Sequence, residues 1–166
     1  MTLQVREGGL DAPEVRDLLT LHLQGMAEHS PPESIHALPL DELARPGISF
    51  WSAWFDGRLA GCGALKTLDE RHGEIKAMRT AQAFLRQGVG AAILREIIEV
   101  ARHRGFERLS LETGSAEAFR PAQLLYLKYG FAYCEPFGDY RPDPFSVFMD
   151  LPLDSSVASP DGGIKE

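Results

Sequence analysis

Apolar residues recur along this chain with two different periods, and the switches between them mark out its elements. Leu3 to Arg6 reads as a short strand. From Ala12 onward Val15, Leu18, Leu19, Leu21, Leu23 and Met26 recur near helical spacing, and Pro13 suits the first turn of a helix. Ser30-Pro31-Pro32, Pro39 and Pro46 then break regular structure, leaving room for a short helix over Asp41 to Ala44. Two strand-like runs follow, Ile48 to Phe55 and Arg58 to Lys66, joined by the hairpin dipeptide Asp56-Gly57. Glu74 to Thr80 alternates as a strand. In Gly88 to Arg104 a wide apolar face of Ile93, Leu94, Ile97, Ile98, Val100 and Ala101 opposes Arg95, Glu96, Glu99 and Arg102, and Gly105 stops the helix. Arg108 to Thr113 is a strand, Pro121 opens a short helix ending near Tyr129-Gly130, and Phe131 to Pro136 and Phe145 to Leu151 are strands. A mostly antiparallel front half thus runs into a β-α-β-α-β second half. The fold class is α/β in the α+β sense, a mixed sheet covered by helices.

Composition narrows the class without changing that picture. The 166 residues suit a single domain over 1–153, followed by a loose Ser-, Pro-, Gly- and Asp-rich tail over 154–166. A domain of this size buries about two-thirds of its unfolded surface and needs neither disulfide nor metal to fold. The two cysteines, Cys62 and Cys134, suggest no disulfide framework and fit a reducing compartment. Neither a signal-peptide core nor an apolar run of membrane-spanning length is evident, so a cytoplasmic location is expected. The net charge of −7 argues against a general nucleic-acid binder and weakly favours cationic partners such as amines.

The sharpest local signal is Arg86-Gln87-Gly88-Val89-Gly90-Ala91, between a strand and a long helix. Glycine lets the backbone approach a ligand closely. The first amides of a helix lack internal partners and sit at the positive end of its dipole, which suits a pyrophosphate. A tight turn with no ligand is the plain alternative. The segment lacks the Gly-Lys-Ser/Thr of a P-loop, and Ile93 stands where a dinucleotide fingerprint would have its third glycine.

About 35 residues later comes Leu124-Leu125-Tyr126-Leu127-Lys128-Tyr129-Gly130-Phe131. Strand, G-x-G loop, helix, strand, then a helix ending L-Y-x-K-x-G-F before another strand resembles the GNAT superfamily of N-acetyltransferases, over about residues 48–151. Leu109 to Ser115, Pro136 to Tyr140 and Ser146 to Met149 further resemble a bacterial branch associated with indole acetate. The resemblance implies acetyl-CoA as co-substrate. The family loop, Gln/Arg-x-x-Gly-x-Gly/Ala, falls on Leu85 to Gly90. Leu85 departs from it, and Arg86 could supply the missing phosphate contact. The amides of Gln87, Gly88, Val89, Gly90 and Ala91 would carry most of the binding, and the backbone of Met78, Arg79 and Thr80 would pair with the pantetheine arm.

Acetyl transfer to an amine needs a base, a stabilised oxyanion and a proton for the departing thiolate. Tyr126 resembles the family tyrosine that protonates the thiolate; a structural buried tyrosine is the alternative. Glu74, 14 residues before Gly88, matches the position of the glutamate base in histone-acetylating relatives. Partial burial would raise its pKa as a base requires. Glu112 is its rival, and water the third candidate. A backbone amide near Arg79 or Thr80 would polarise the thioester carbonyl. His22, His29 and His36 recur at spacings of seven, which match no known ligand set, so no metal is expected. Trp51 and Trp54 read as core aromatics, Cys134 as a buried thiol rather than a covalent nucleophile, and Asp139-Tyr140-Arg141 with Asp143 as a polar loop facing the acceptor or a second subunit. The expected activity is acetylation of a primary amine of a small molecule by direct attack in a ternary complex, with a homodimer implied only by the family. Peptide acetylation and a non-catalytic acyl-CoA-binding module are the competing readings.

Overall fold

The structure, a computed structural model, describes residues 2–35 and 40–153. His36 and the segment expected to form a loose tail, 154–166, lie outside the described residues. Seven strands form one sheet: β1 (Leu3–Glu7), β2 (Ile48–Phe55), β3 (Arg58–Asp69), β4 (His72–Thr80), β5 (Arg108–Gly114), β6 (Ala132–Tyr133) and β7 (Ser146–Pro152). Among the described residues four α-helices join them: α1 (Pro13–His29), α2 (Leu40–Leu43), α3 (Val89–His103) and α4 (Arg120–Lys128).

The local chemistry explains most of these elements. Pro13 occupies the first turn of α1, where its missing N–H has no role. Asp56 and Gly57 both take positive φ, 46° and 85°, the geometry that matches the twist of a two-residue hairpin between β2 and β3. The carboxylate of Asp69 accepts from the Arg71 amide and closes the turn into β4. Gly105, at φ 83°, follows the last turn of α3.

The sheet order is β1-β2-β3-β4-β5-β7-β6. Every neighbouring pair is antiparallel except β4 and β5, which are parallel and joined through α3. Two apolar clusters flank the sheet. Val15, Leu18 and Leu19 of α1 and Leu43 of α2 pack on Phe50, Trp54, Cys62 and Ala64. On the other side Ile93, Leu94 and Ile97 of α3, with Tyr126 of α4, pack on Trp51, Ala53, Leu65 and Leu111. Trp51 and Trp54 are core aromatics, as expected.

Two expectations need correction. The strand expected over Phe131 to Pro136 shrinks to Ala132–Tyr133: the Phe131 amide is still engaged by the Tyr126 carbonyl at the end of α4, and the bond from the Cys134 amide to the Phe148 carbonyl is followed two residues on by Pro136, which has no N–H to offer. In α1 the buried stripe is Val15, Leu18, Leu19 and His22, whereas Leu21 is 53% exposed. Positions three and four apart share a helix face, so His22 takes the place the apolar count gave to Leu21 and Leu23.

Candidate active site

The parallel pairing of β4 with β5 covers His72 to Ile75 against Arg108 to Leu111 and ends there. β4 continues to Thr80 against β3, and β5 continues to Gly114 against β7. Beyond Ile75 the facing edges are not paired with each other, so the sheet opens between them. Backbone groups of Lys76 to Thr80 then point into the opening without a strand to receive them. The β3–β4 register gains one residue between Lys76 and Arg79, and within this bulge Ala77 takes φ 57°. Met78 faces α3: its sulfur, with Ile93, would collide with a Cβ at Gly63. Arg79, next along the strand, turns the opposite way, and its guanidinium lies 3.1 Å from where a Cβ at Gly25 of α1 would stand.

One end of the opening meets the start of α3. Residues Leu85 to Gly88 are exposed, Arg86 and Gly88 take φ 62° and 82°, and no side chain caps the helix. The amide of Ala92 is the first to be satisfied inside the helix, by the Gly88 carbonyl. The preceding amides of Val89, Gly90 and Ala91 therefore stay available to an anion. A Cβ at Gly90 would come within 3.1 Å of Leu125 of α4, so glycine lets α4 sit directly against the loop. Phe84, stacked on Phe55 and covered by Arg58, anchors the loop to the sheet. Gln87 reaches only the Ala83 carbonyl, and Leu85 stands 46% exposed.

Tyr126, in the helix beside the loop, is 5% exposed and packs edge-on against Phe131, and burial pushes its hydroxyl pKa up. Gln123, one turn earlier, donates to the Gly114 carbonyl and ties α4 to the end of β5.

The α1 side of the opening is a cavity lined by His22, Met26, Ser34, Lys76, Ala77 and Glu112, among others. Glu112 sits on its wall and accepts a 2.8 Å hydrogen bond from Ser146. Glu74 is buried behind it, with Oε2 accepting from Lys76 Nζ at 3.2 Å and from the Tyr140 hydroxyl. The polar loop singled out in the sequence thus turns inward: Tyr140 binds Glu74 and Lys76, and Asp143 accepts from Ser34. Burial and the neighbouring Glu74 push the Tyr140 hydroxyl pKa up.

His22 is 7% exposed, its Nδ1 is buried with no hydrogen-bond partner among the described residues, and its pKa falls to about 4 through burial and the nearby charges of Arg79 and Lys76. It is therefore a neutral imidazole at neutral pH. His29 lies apart, edge-on to Phe119. Cys62 is a free buried thiol, pushed up to about 12, whereas Cys134, expected to be buried, is a half-buried free thiol because the chain leaves the sheet just after β6. Among the described residues no His, Cys, Asp and Glu cluster could hold a metal ion, and no helix is long and apolar enough to cross a membrane.

A sheet that opens between two parallel strands, with an uncapped helix start at one end and carboxylates at the other, is compatible with an acyltransferase, and the comparisons with known proteins supply the class. The chain belongs to the Acetyltransferase (GNAT) family, whose model matches residues 13–131. It is 56% identical to the uncharacterized N-acetyltransferase YsnE of Bacillus subtilis over 91% of this chain and 100% of that one. It is 52% identical to the uncharacterized N-acetyltransferase YedL of Escherichia coli over 90% and 94%. A solved Klebsiella pneumoniae structure named for an acyl-CoA N-acyltransferase superposes with a TM-score of 0.75 at 27% identity, covering 92% of this chain and 99% of that one. The chain is an acetyltransferase with the GNAT fold.

Proposed function

We propose that this acetyltransferase moves the acetyl group of acetyl-CoA to a primary amine of a small molecule, by direct attack within a ternary complex. The observation that carries this reading is the opening of the sheet beyond Ile75, which leads from the free amides of α3 to a cavity walled by Glu112. The pyrophosphate of the co-substrate would rest on the amides of Gln87 to Ala91, with Arg86 beside it. Its pantetheine arm would pair with the unpartnered edge at Met78, Arg79 and Thr80.

In the reaction a carboxylate takes a proton from the ammonium, and the freed amine attacks the thioester carbonyl. A carbon–nitrogen bond forms, the carbon–sulfur bond breaks, the sulfur leaves with a proton from Tyr126, and the second proton of the attacking nitrogen returns Tyr126 to its neutral form. A backbone amide of Arg79 or Thr80 would hold the transient oxyanion. Glu74 and Glu112 divide the base role by position. Glu112 borders the cavity and takes the proton directly or through one water. Glu74 acts one step back, fixing Lys76 and Tyr140 against the site.

Calorimetric titration with acetyl-CoA and CoA tests the reading. Wild-type protein is expected to bind both, Gly88→Glu neither, and CoA-thiol release should then identify reactive amines. Binding that survives Gly88→Glu would sink the assignment of the loop.

A further inference from the structure

The acceptor side contains a cation that no described residue neutralises. Arg79 is half-buried under α1, its guanidinium against Gly25, and among the described residues that guanidinium makes no hydrogen bond or ion pair. Lys76, on the same strand, differs because Glu74 answers its charge. A half-buried guanidinium keeps a substantial desolvation cost unless an anion meets it. The co-substrate is badly placed to supply that anion. The amides expected to hold its phosphates belong to α3, and α3 covers the opposite face of the sheet from the Arg79 side chain.

A second group points to the same place. His22, three residues before Gly25 on α1, borders the cavity with Nδ1 buried and unpartnered. An orphaned buried nitrogen is costly, and buried polar atoms are nearly always satisfied. As the Nδ1–H tautomer it is a neutral donor beside a fixed positive charge, a combination that fits a carboxylate. Glycine at position 25 fits too. Inside a helix it is less favourable than alanine, and here its missing Cβ leaves the guanidinium its place. Opposite, Glu112 lines the same cavity and suits an ammonium.

We infer that the acceptor is an amino-carboxylic acid, with its carboxylate held by Arg79 and the Nδ1 of His22 and its amine directed towards Glu112 at the opening between β4 and β5. This rests on the acetyl-transfer reading, and it selects among amines by the group that accompanies the nitrogen. Arg79 is the specificity-determining residue, because its planar fork presents two parallel donors to a carboxylate.

The test compares α-amino acids with their own amides and decarboxylated amines, measuring CoA-thiol release, in wild type, Arg79→Gln and Arg79→Lys. Wild type should prefer the carboxylate by about a hundredfold or more in kcat/KM, since a site built for a polar group rejects analogues lacking it. In Arg79→Gln that ratio should collapse towards unity through a raised KM for the acid, and Arg79→Lys should restore part of it. Equal use of acids and amides by wild type, or a ratio that survives Arg79→Gln, overturns the inference. Calorimetry of N-acetylated amino acids against the CoA-saturated protein supplies a readout without turnover. Binding by wild type and loss in Arg79→Gln supports the inference, and no binding by wild type overturns it. Failure to bind acetyl-CoA or CoA at all would instead overturn the acetyl-transfer reading.

Discussion

His22 shows how one side chain can couple the stability of the protein to the readiness of its site. Its pKa is about 4 in the folded protein and about 6.5 in an unfolded chain. The unfolded state therefore binds more protons between those values, and stability rises with pH across that window and falls as pH drops through it. Lowering the pH from 7 to 5 should cost about 2 kcal/mol from this residue alone. Urea melts of wild type and His22→Leu should show it: the variant should lose less stability over that interval, and parallel curves would refute the assignment. Little in the chain marks this residue in advance. Its spacing from Val15, Leu18 and Leu19 puts it on the buried stripe, but its polar identity drew attention to the leucines instead. The carboxylates divide in the same way. Chain position marks Glu74, whereas only three-dimensional placement brings Glu112 to the cavity wall. Glu112→Gln should lower kcat by roughly 100-fold and remove the acidic limb of the pH–rate profile, the usual scale of a lost general base. In Glu74→Gln the limb should persist. A retained limb in Glu112→Gln would return the base role to Glu74 or to water. Tyr126→Phe should lower kcat by a similar factor of about 100 while changing acetyl-CoA affinity far less. Unchanged turnover would leave Tyr126 a core residue.

At the scale of elements, glycine and proline made much of the fold legible. Asp56-Gly57 announces a hairpin, Gly105 ends α3 and Pro13 starts α1, each because few residues tolerate those backbone angles or that missing donor. The bulge in β4 could not be read this way, because alanine carries no signal for a left-handed backbone. Yet Ala77 holds φ 57° there, a conformation that costs roughly 1–2 kcal/mol in an L-residue. A β-branched side chain would fit it worse. Ala77→Val should lower the melting temperature, and Ala77→Gly should not; equal destabilisation by both would point to lost packing rather than backbone strain. The short β6 was over-read for the opposite reason, since the run from Phe131 to Pro136 looks like a strand until the proline is counted against the ladder.

For the whole molecule, alternating periods in the sequence foretold the element order and the mixed sheet. The register between β4 and β5 was not foretold. Nothing in Lys76 to Thr80 or Glu112 to Gly114 says that pairing stops at Ile75, because a strand looks the same whether or not its neighbour stays beside it. A ligand that fills the opening should act on the molecule as a unit. At about 100 times its dissociation constant, acetyl-CoA should add about 2.7 kcal/mol of stability. That would raise the melting temperature by roughly 5–10 °C for a chain of this size. A calorimetric scan with and without ligand measures the shift, and Gly88→Glu should abolish it.

Exposed edges usually lie at the rim of a sheet, where they invite other chains to pair. This fold keeps two of them in its interior, under the cover of α1 and facing each other. On the proposed reading the pantetheine arm works as a temporary strand that arrives with each acetyl group and departs with each CoA. The sheet would then be finished and unfinished once per turnover, and release of the spent thiol would require breaking a short ladder. Amide hydrogens from Lys76 to Thr80 that face the opening should consequently exchange with solvent faster in free protein than in the CoA complex, while those bonded to β3 keep one rate in both.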